Sequence, residues 1–412
     1  MGNENGSAVV SLRSGAANPS SAIAETDFVI LSVMFRVALL VESSRSYGRD
    51  ILSGVRRFIS EGQRWATTVE LRDLQSPTPA WLSTWDGDGI LCRSGSAAMA
   101  EAIRRTGVPA IELRSKRFSP TLPFVGMENR QIATLAANHL LEKGLRHFGV
   151  YGLRTESFFE VRRDAFVSAI AKRGHSCDVF LQTGRREKPS QWQRQQSALG
   201  RWLNGLPKPI GILACTDQLG YWLLEACREQ SIRVPDEVAV IGVEGDETLG
   251  ELSDPPLSSV RLAGVRVGHA AAAQLHRWML TGRVRRTDRL FAPEGIRARR
   301  SSDWIAAEDP HVAAAIRWIR EHACHGGNVE QLAVAVGCSR STLERRFRDQ
   351  IGRSPNQELV RTRLAAAESQ LRNTSHTLDQ IAKDTGFRTA AYLHHRFREA
   401  HGRTPGSIRP GK

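Results

Sequence analysis

Leu332-Ala333…Gly337…Leu343…Phe347-Arg348…Gly352-Arg353-Ser354-Pro355 is said a second time as Ile381-Ala382…Gly386…Leu393…Phe397-Arg398…Gly402-Arg403-Thr404-Pro405. From Leu343 onward the matched positions lie 50 residues apart and before it 49, so the second copy carries one extra residue in its turn. A repeat of this length is a duplicated supersecondary unit. Gly337 ends the first apolar stretch, where only glycine enters a left-handed cap cheaply. Ser339 is a natural N-cap for the next helix, and Leu343, Phe347 and Ile351 make its inward stripe. The outward face is then Arg340, Ser341, Thr342, Glu344, Arg345 and Arg348 in the first copy, and Ala390, Ala391, His394, His395, Arg396 and Arg398 in the second. Hydroxyls and arginines near a helix N-terminus reach base edges, and arginine pairs bidentately with guanine. For Arg348 and Arg396 phosphate anchoring is the better reading.

Two helix-turn-helix units are thus expected, over about 328–352 and 378–402. A long amphipathic helix over Asn356–Leu371 separates them, and an earlier helix begins at Pro310, where proline suits a first turn. Held rigidly apart, the two readers meet successive major-groove segments of double-stranded DNA, about 10–10.5 bp from one another. Charge agrees with this. The chain of 412 residues carries a formal +14, and the stretch from Pro310 to Lys412 holds 17 Lys/Arg against 9 Asp/Glu. The basic density sits on the repeat, as a phosphate-facing module requires.

A chain this long needs more than one domain. Upstream, short apolar runs alternate with helical patterns. Strands are expected at Arg36–Glu42, Thr67–Leu71, Gly89–Cys92, Ala110–Leu113, His147–Tyr151, Asp178–Leu181, Ile210–Cys215 and Val238–Val243. Helices are expected between most of them, which implies parallel sheets with crossover helices. The strands are too many for one comfortable sheet, so two doubly wound lobes fit better. Ligands of such sheets sit outside the carboxyl ends of the strands. Those ends carry Glu42, Ser43, Ser44 and Arg45, then Arg114, Arg154 with Glu156, Thr216 with Asp217, and Glu244 with Asp246. With Tyr47, Phe158, Phe159 and Trp222 nearby, they suit a small polyhydroxylated ligand: charged groups grip vicinal hydroxyls while an aromatic face covers C–H groups. Loop ends are polar in every α/β protein, however, and Asp217 also reads as a helix N-cap.

The six cysteines are scattered, without a C-x-x-C pair or histidines at metal spacing, and read as reduced thiols of a cytoplasmic protein. No apolar run reaches membrane-span length, and no secretory signal is expected. Residues 1–34, rich in Gly, Ser, Asn and Ala, read as a disordered tail, with Met34 as an alternative start.

The stretch from Arg36 to about Gly295 resembles the effector-binding region of lactose-repressor-type regulators. The matching segments are Ala136-Ala137-Asn138-His139-Leu140-Leu141, Ala214-Cys215-Thr216-Asp217-Gln218, Val234-Pro235-Asp236-Glu237-Val238 onward, and Pro256-Leu257-Ser258-Ser259-Val260. The resemblance implies the periplasmic-binding-protein fold. It also implies effector contacts at Arg162, Thr216, Asp217 and Glu244, which join Ser44, Arg45, Tyr47 and Arg114 from the strand ends. Glu244 stands where that family usually has Asp. The last 100 or so residues resemble the AraC/XylS-type DNA-binding domain through Ile381-Ala382…Gly386-Phe387…Phe397-Arg398…Gly402-Arg403-Thr404-Pro405…Arg409, with Ile408 in place of the usual Tyr. That likeness implies base readers at Ser341, Glu344 and Arg345, and at Ala390, Ala391, His394 and His395. The order of the two parts resembles the xylose operon regulators, as do Glu42 to Arg49 and Thr342-Leu343-Glu344-Arg345-Arg346-Phe347.

The expectation is an α/β two-lobed periplasmic-binding-protein-like domain of doubly wound parallel sheets, followed by an all-α double helix-turn-helix domain. The effector domain covers 35–300, with lobe one at about 35–125 plus 260–295 and lobe two at about 126–259. A linker spans 301–309 and the DNA-binding domain 310–412. The expected partners are operator DNA, a sugar such as D-xylose, a second copy of the chain in a homodimer, and RNA polymerase. No cofactor, metal or membrane is expected. A transport-associated sugar-binding protein would share the fold but not the DNA-binding end. A DNA-repair enzyme would need a catalytic constellation, and the chain has no P-loop, no G-x-S-x-G and no metal spacing.

Overall fold

In the computed structural model the described residues are 34–409, except 74–75, 155–156, 183–188, 285–286 and 308, and except the side chains of 189–191 and 373. The expected N-terminal tail, apart from Met34, lies outside them. Lobe one begins with β1 (Phe35–Leu40), α1 (Ser46–Ser60), β2 (Trp65–Val69), β3 (Gly89–Cys92), α2 (Ala97–Thr106), β4 (Ala110–Glu112) and β5 (Val125–Met127). Lobe two follows with α3 (Asn129–Glu142), β6 (His147–Leu153), α4 (Ser157–Ala171), β7 (Cys177–Gln182), α5 (Pro189–Gly205), β8 (Ile210–Ala214), α6 (Asp217–Glu229), β9 (Val238–Glu244), α7 (Glu247–Leu252) and β10 (Ser258–Arg261). The chain then returns to lobe one in α8 (Gly264–Thr281) and β11 (Arg289–Phe291), and crosses back in β12 (Gly295–Arg297).

The first sheet runs β2-β1-β3-β4, all parallel. The second runs β12-β10-β9-β8-β6-β7, parallel except for β12, which is antiparallel to β10. Strands β8 and β9 are buried at every position, as expected of parallel strands covered on both faces by helices. β11 and β5 form a separate parallel pair. Helices α1 and α8 touch backbone to backbone. A Cβ on Gly268 would lie 2.0 Å from the Ile51 carbonyl oxygen, and one on Gly54 2.1 Å from that of Val265.

The lobe boundaries differ from those expected. β10, split by the expected boundary at 259, belongs wholly to the second sheet, and Gly295 is the first residue of a strand of lobe two rather than the end of lobe one. β5, β11 and β12 are three residues long, too short to show any period, so the crossings they make leave no mark in the sequence pattern.

The DNA-binding end consists of α9 (Pro310–His322), α10 (Val329–Ala335), α11 (Arg340–Ile351), α12 (Pro355–Asn373), α13 (Leu378–Asp384) and α14 (Ala390–His401), closed by a 3-10 turn at Pro405–Ile408. Asp309 caps α9, accepting from the amides of His311 and Val312, with Pro310 in the first turn. Asn328 with Gln331 and Ser354 with Gln357 form capping boxes that start α10 and α12. The apolar stripes build two separate cores. Leu332, Leu343, Phe347 and Leu359 belong to the first, with Val312, Ile316 and Ile319 from α9. Val360, Leu364, Leu371, Ile381, Leu393, Phe397 and Ile408 belong to the second. α12 therefore serves both through adjacent residues. Arg320 pairs with Asp236 of lobe two, and Arg361 lies 2.6 Å from Asp303, so the domains are also tied by charge. Among the described residues no helix is long and apolar enough to cross a membrane.

Candidate effector cleft and nucleic-acid interface

In the first sheet the strand order reverses at β1 and β3, and the residues after these strands face the second lobe. They make one wall of a narrow cleft, partly open to solvent. Glu42, Arg45 and Tyr47 come from the β1–α1 segment, Arg93 follows β3, and Leu113 and Arg114 follow β4. Lobe two supplies Asn129 at the start of α3, Phe158 and Arg162 from α4, and Glu244 at the end of β9.

Charge is densely paired here. Arg93 and Glu42 form a buried ion pair, and the Arg93 guanidinium lies 4.9 Å from the Tyr47 ring centre. Arg45 approaches Glu244 to 3.5 Å across the cleft. Arg162 is 4% exposed; its Nε donates to Asn129 Oδ1 at 2.9 Å, its Nη1 donates to the Cys215 carbonyl, and its guanidinium lies 5.1 Å from the Phe158 ring. Burial pushes the Arg162 pKa down, raises that of Glu244 against the pull of Arg45, Arg162 and Arg93, and pushes the Tyr47 hydroxyl up to about 12. Glu42 Oε2 is buried yet makes no hydrogen bond among the described residues, and Arg45 Nη1, also buried, has only the long approach to Glu244. Buried polar atoms without partners are rare in folded proteins, and in a cleft they mark where a ligand's polar groups fit.

Of the residues expected to touch effector, Arg45, Tyr47, Arg114, Arg162 and Glu244 line this cleft. Ser44, Thr216 and Asp217 do not. Ser44 is exposed, its amide bonded to the Arg72 carbonyl. Thr216 is the N-cap of α6, its side chain accepting from the Leu219 amide. Asp217 is fully buried: its Oδ1 accepts from the Ser259 hydroxyl at 2.6 Å and its Oδ2 from the Asp246 amide at 2.7 Å. The loop Glu244-Gly245-Asp246 thus packs against it, and burial, then the neighbouring Glu244 charge, raises its pKa to about 7. Phe159 lies in the core, Trp222 packs on Trp192, and Glu156 falls outside the described residues. The expected set lacks Arg93. The strand-end rule finds it, since it follows β3 immediately, as it finds Glu42 after β1.

On the DNA-binding domain, Ser339 caps α11 and Thr389 caps α14, each accepting from the amide three residues on. Arg340, Ser341, Arg345 and Arg348 are exposed on α11, with Thr342 and Glu344 half-buried. Arg340 is held between Glu330 and Glu344, whereas Arg345 reaches Asp349 only at 3.9 Å. On α14, Ala391 and His395 are exposed, and His394 and Arg396 half-buried, with Arg396 paired to Glu399 at 2.8 Å. Ala390, expected outward, is half-buried and packs against the second core. Tyr392, 42% exposed beside Phe387, is a further side chain on this face.

The Periplasmic binding protein-like domain family matches residues 137–302, and the Helix-turn-helix domain family residues 332–410. The chain is 30% identical to the xylose operon regulatory protein of Haemophilus influenzae over 384 residues, covering 91% of this chain and 98% of the relative. It is 30% identical to the protein of that name in Escherichia coli over 382 residues, covering 91% and 96%. The solved structure of a xylose-binding transcription activator superposes with a TM-score of 0.74 at 29% identity, over 92% of this chain and 98% of that one. A cellobiose complex of a transcriptional regulator shares the fold of the effector part, with a TM-score of 0.54 at 20% identity over 65% of this chain and 84% of that one. With both domains matched in the same order along nearly the whole length, the chain belongs to the family of xylose operon regulatory proteins.

Proposed function

We infer that the chain is a sugar-responsive, DNA-binding transcription regulator whose effector is D-xylose or a related pentose. The sugar sits in the cleft between the lobes. The observation that carries this reading is Glu42 Oε2, buried without a hydrogen bond among the described residues, with Arg45 Nη1 held only by the 3.5 Å approach to Glu244, in a cleft flanked by Tyr47 and Phe158. Glu42 and Glu244 accept from hydroxyls; Arg45, Arg93, Arg114 and Arg162 donate to them. Tyr47 and Phe158 cover the apolar face of the ring. The protein acts by binding rather than by catalysing a reaction, in line with the regulators it resembles. It works in the cytoplasm as a homodimer on operator DNA, where it contacts RNA polymerase.

D-Xylose in hundredfold excess over its Kd is expected to stabilise the effector domain by about 2.7 kcal/mol, read as a rise in Tm. It is also expected to change the affinity for DNA selected from a random pool by the full-length chain, because ligand and DNA affinities are reciprocally linked. A panel with L-arabinose, D-ribose, D-glucose and cellobiose identifies the preferred sugar. No response to any of the five sinks the sensor reading.

Base readout is assigned chiefly to Ser341 and Arg345 of the first unit, with Glu344 beside them. In the second it falls to Ala391, His394 and His395, with Ala390 too far inward to contribute more than packing. Arg348 and Arg396 anchor phosphates. Exposed ion pairs such as Arg345–Asp349 contribute little, so Arg345 gives up little in turning to a base. Arg345→Ala is expected to weaken specific DNA binding by about 10- to 100-fold while leaving the sugar Kd unchanged. Equal loss on selected and scrambled DNA would instead make Arg345 a phosphate anchor.

A further inference from the structure

Two ion pairs cross the cleft and end on the same short loop. Arg45 approaches Glu244 at 3.5 Å, and Arg49, one turn along α1, approaches Asp246 at 3.9 Å. The loop is clamped from below. Ser259 Oγ accepts from the Gly245 amide at 2.9 Å and donates to Asp217, which also accepts from the Asp246 amide. Glu244 has a φ of +135°, a backbone region that residues other than glycine rarely occupy, and such strain persists only where the surroundings hold it. Asp246 then caps α7, its Oδ1 accepting from the Leu249 amide at 3.0 Å.

The far side of α7 faces the DNA-binding domain. Arg299 Nε donates to Glu251 at 2.9 Å and its Nη2 to Glu247 at 3.1 Å. Gly250 packs so tightly on this guanidinium that a Cβ there would lie 2.6 Å from Nη1. The second oxygen of Glu251 accepts from the hydroxyl of Ser369, at 3.0 Å, on α12. α12 is the helix that both helix-turn-helix cores share. Arg320–Asp236 and Arg361–Asp303 also join the domains, and neither pair involves α7.

We propose that α7 is the lever that couples the cleft to the DNA-binding domain, with Asp217 and Ser259 positioning its cleft end and Glu251 holding α12 through Ser369. This rests on the sugar-sensing reading above. Movement of lobe one against lobe two pulls or releases the Glu244–Asp246 loop through Arg45 and Arg49. The loop is continuous with a helix of less than two turns, so α7 tilts as one piece. Its opposite face carries Glu251, and the position of α12 follows. Coupling of this kind exists only if the two settings of the lobes hold α7 differently.

The test uses the full-length chain and the selected DNA. Glu251→Gln and Ser369→Ala are expected to keep the wild-type Kd for D-xylose measured without DNA, but to shrink the sugar's effect on DNA affinity by about threefold or more. The double variant should lose no more than either single one, since they share one contact. A second measurement needs no sugar: the cycle of Glu244→Gln with Ser369→Ala on DNA affinity should depart from additivity by about threefold or more. An unchanged sugar response in both single variants overturns the proposal, as does an additive cycle. If the wild type fails to respond to D-xylose, the xylose reading falls, while the cycle still decides for or against the lever.

Discussion

Arg162→Ala is expected to weaken D-xylose binding by about 100- to 10,000-fold, the loss of two hydrogen bonds from a charged donor at about 1.5–3 kcal/mol each. The argument rests on how the guanidinium is held. Nε and Nη1 are fixed on Asn129 Oδ1 and the Cys215 carbonyl, and Phe158 lies against the group, so its orientation is set before any ligand arrives. A donor fixed in this way loses little entropy when a sugar hydroxyl binds, and burial removes the competing water. Burial also depresses its pKa, which is the cost of keeping a charge at this depth. Arg162→Lys restores charge but not the planar fork. It is expected to recover at most about tenfold of the lost affinity, since one ammonium cannot serve both anchors and the ligand. Titration calorimetry with D-xylose reads both variants. Melting curves and DNA binding without sugar show whether the domain is intact. Binding by Arg162→Ala within about threefold of wild type, against the loss expected for a charged donor, would remove Arg162 from the effector site.

How far the site could be read from the chain alone follows from what a strand end can and cannot say. The apolar runs placed the strands, and the carboxyl ends of parallel strands face ligand, so Arg45, Tyr47, Arg114 and Glu244 were legible. The same rule applied to β3 would have found Arg93. The rule does not say which loop lies above which. β8 ends beneath the loop that follows β9, and so Asp217, although it follows the strand closely, is covered by Glu244-Gly245-Asp246, while Thr216 is taken up in capping α6. That stacking depends on contacts between residues far apart in sequence, such as Asp217 with Ser259, which no local pattern records. The helix-turn-helix repeat is the opposite case. Its caps, glycines and apolar stripe are all local, and the helices α11 and α14 begin 50 residues apart, as Leu343 and Leu393 do. Ala390 alone of the expected outward residues of α14 packs against the core, as a small apolar side chain at a helix start can.

Phe397→Ala is expected to cost about 3–5 kcal/mol, the usual loss when a large aromatic is cut from a closed core. Its effect should be confined to one half of the DNA-binding domain. Phe397 belongs to one cluster with Leu364, Leu371, Ile381 and Leu393, whereas Phe347 belongs to another with Leu332, Leu343 and α9; Leu359 and Val360 stand side by side on α12, and the turn at Gly386 lies against the Ala323 and Cys324 carbonyls. A second helix-turn-helix weakened by that amount should melt in its own low-temperature transition, before the first unit and the effector domain, so a single two-state fit no longer applies. DNA affinity should fall toward what the first unit provides alone, by about 100-fold or more, and the salt dependence should become shallower as the phosphate contact proposed for Arg396 is lost. Phe347→Ala is the mirror experiment. If the first unit does most of the base reading, through Ser341 and Arg345, then Phe397→Ala preserves much of the preference for selected over scrambled DNA and Phe347→Ala abolishes it. Calorimetry and binding at several salt concentrations separate these outcomes. One cooperative transition in both variants, with equal loss of sequence preference, would mean that α12 fuses the two units into a single core and that their inequality as readers is wrong.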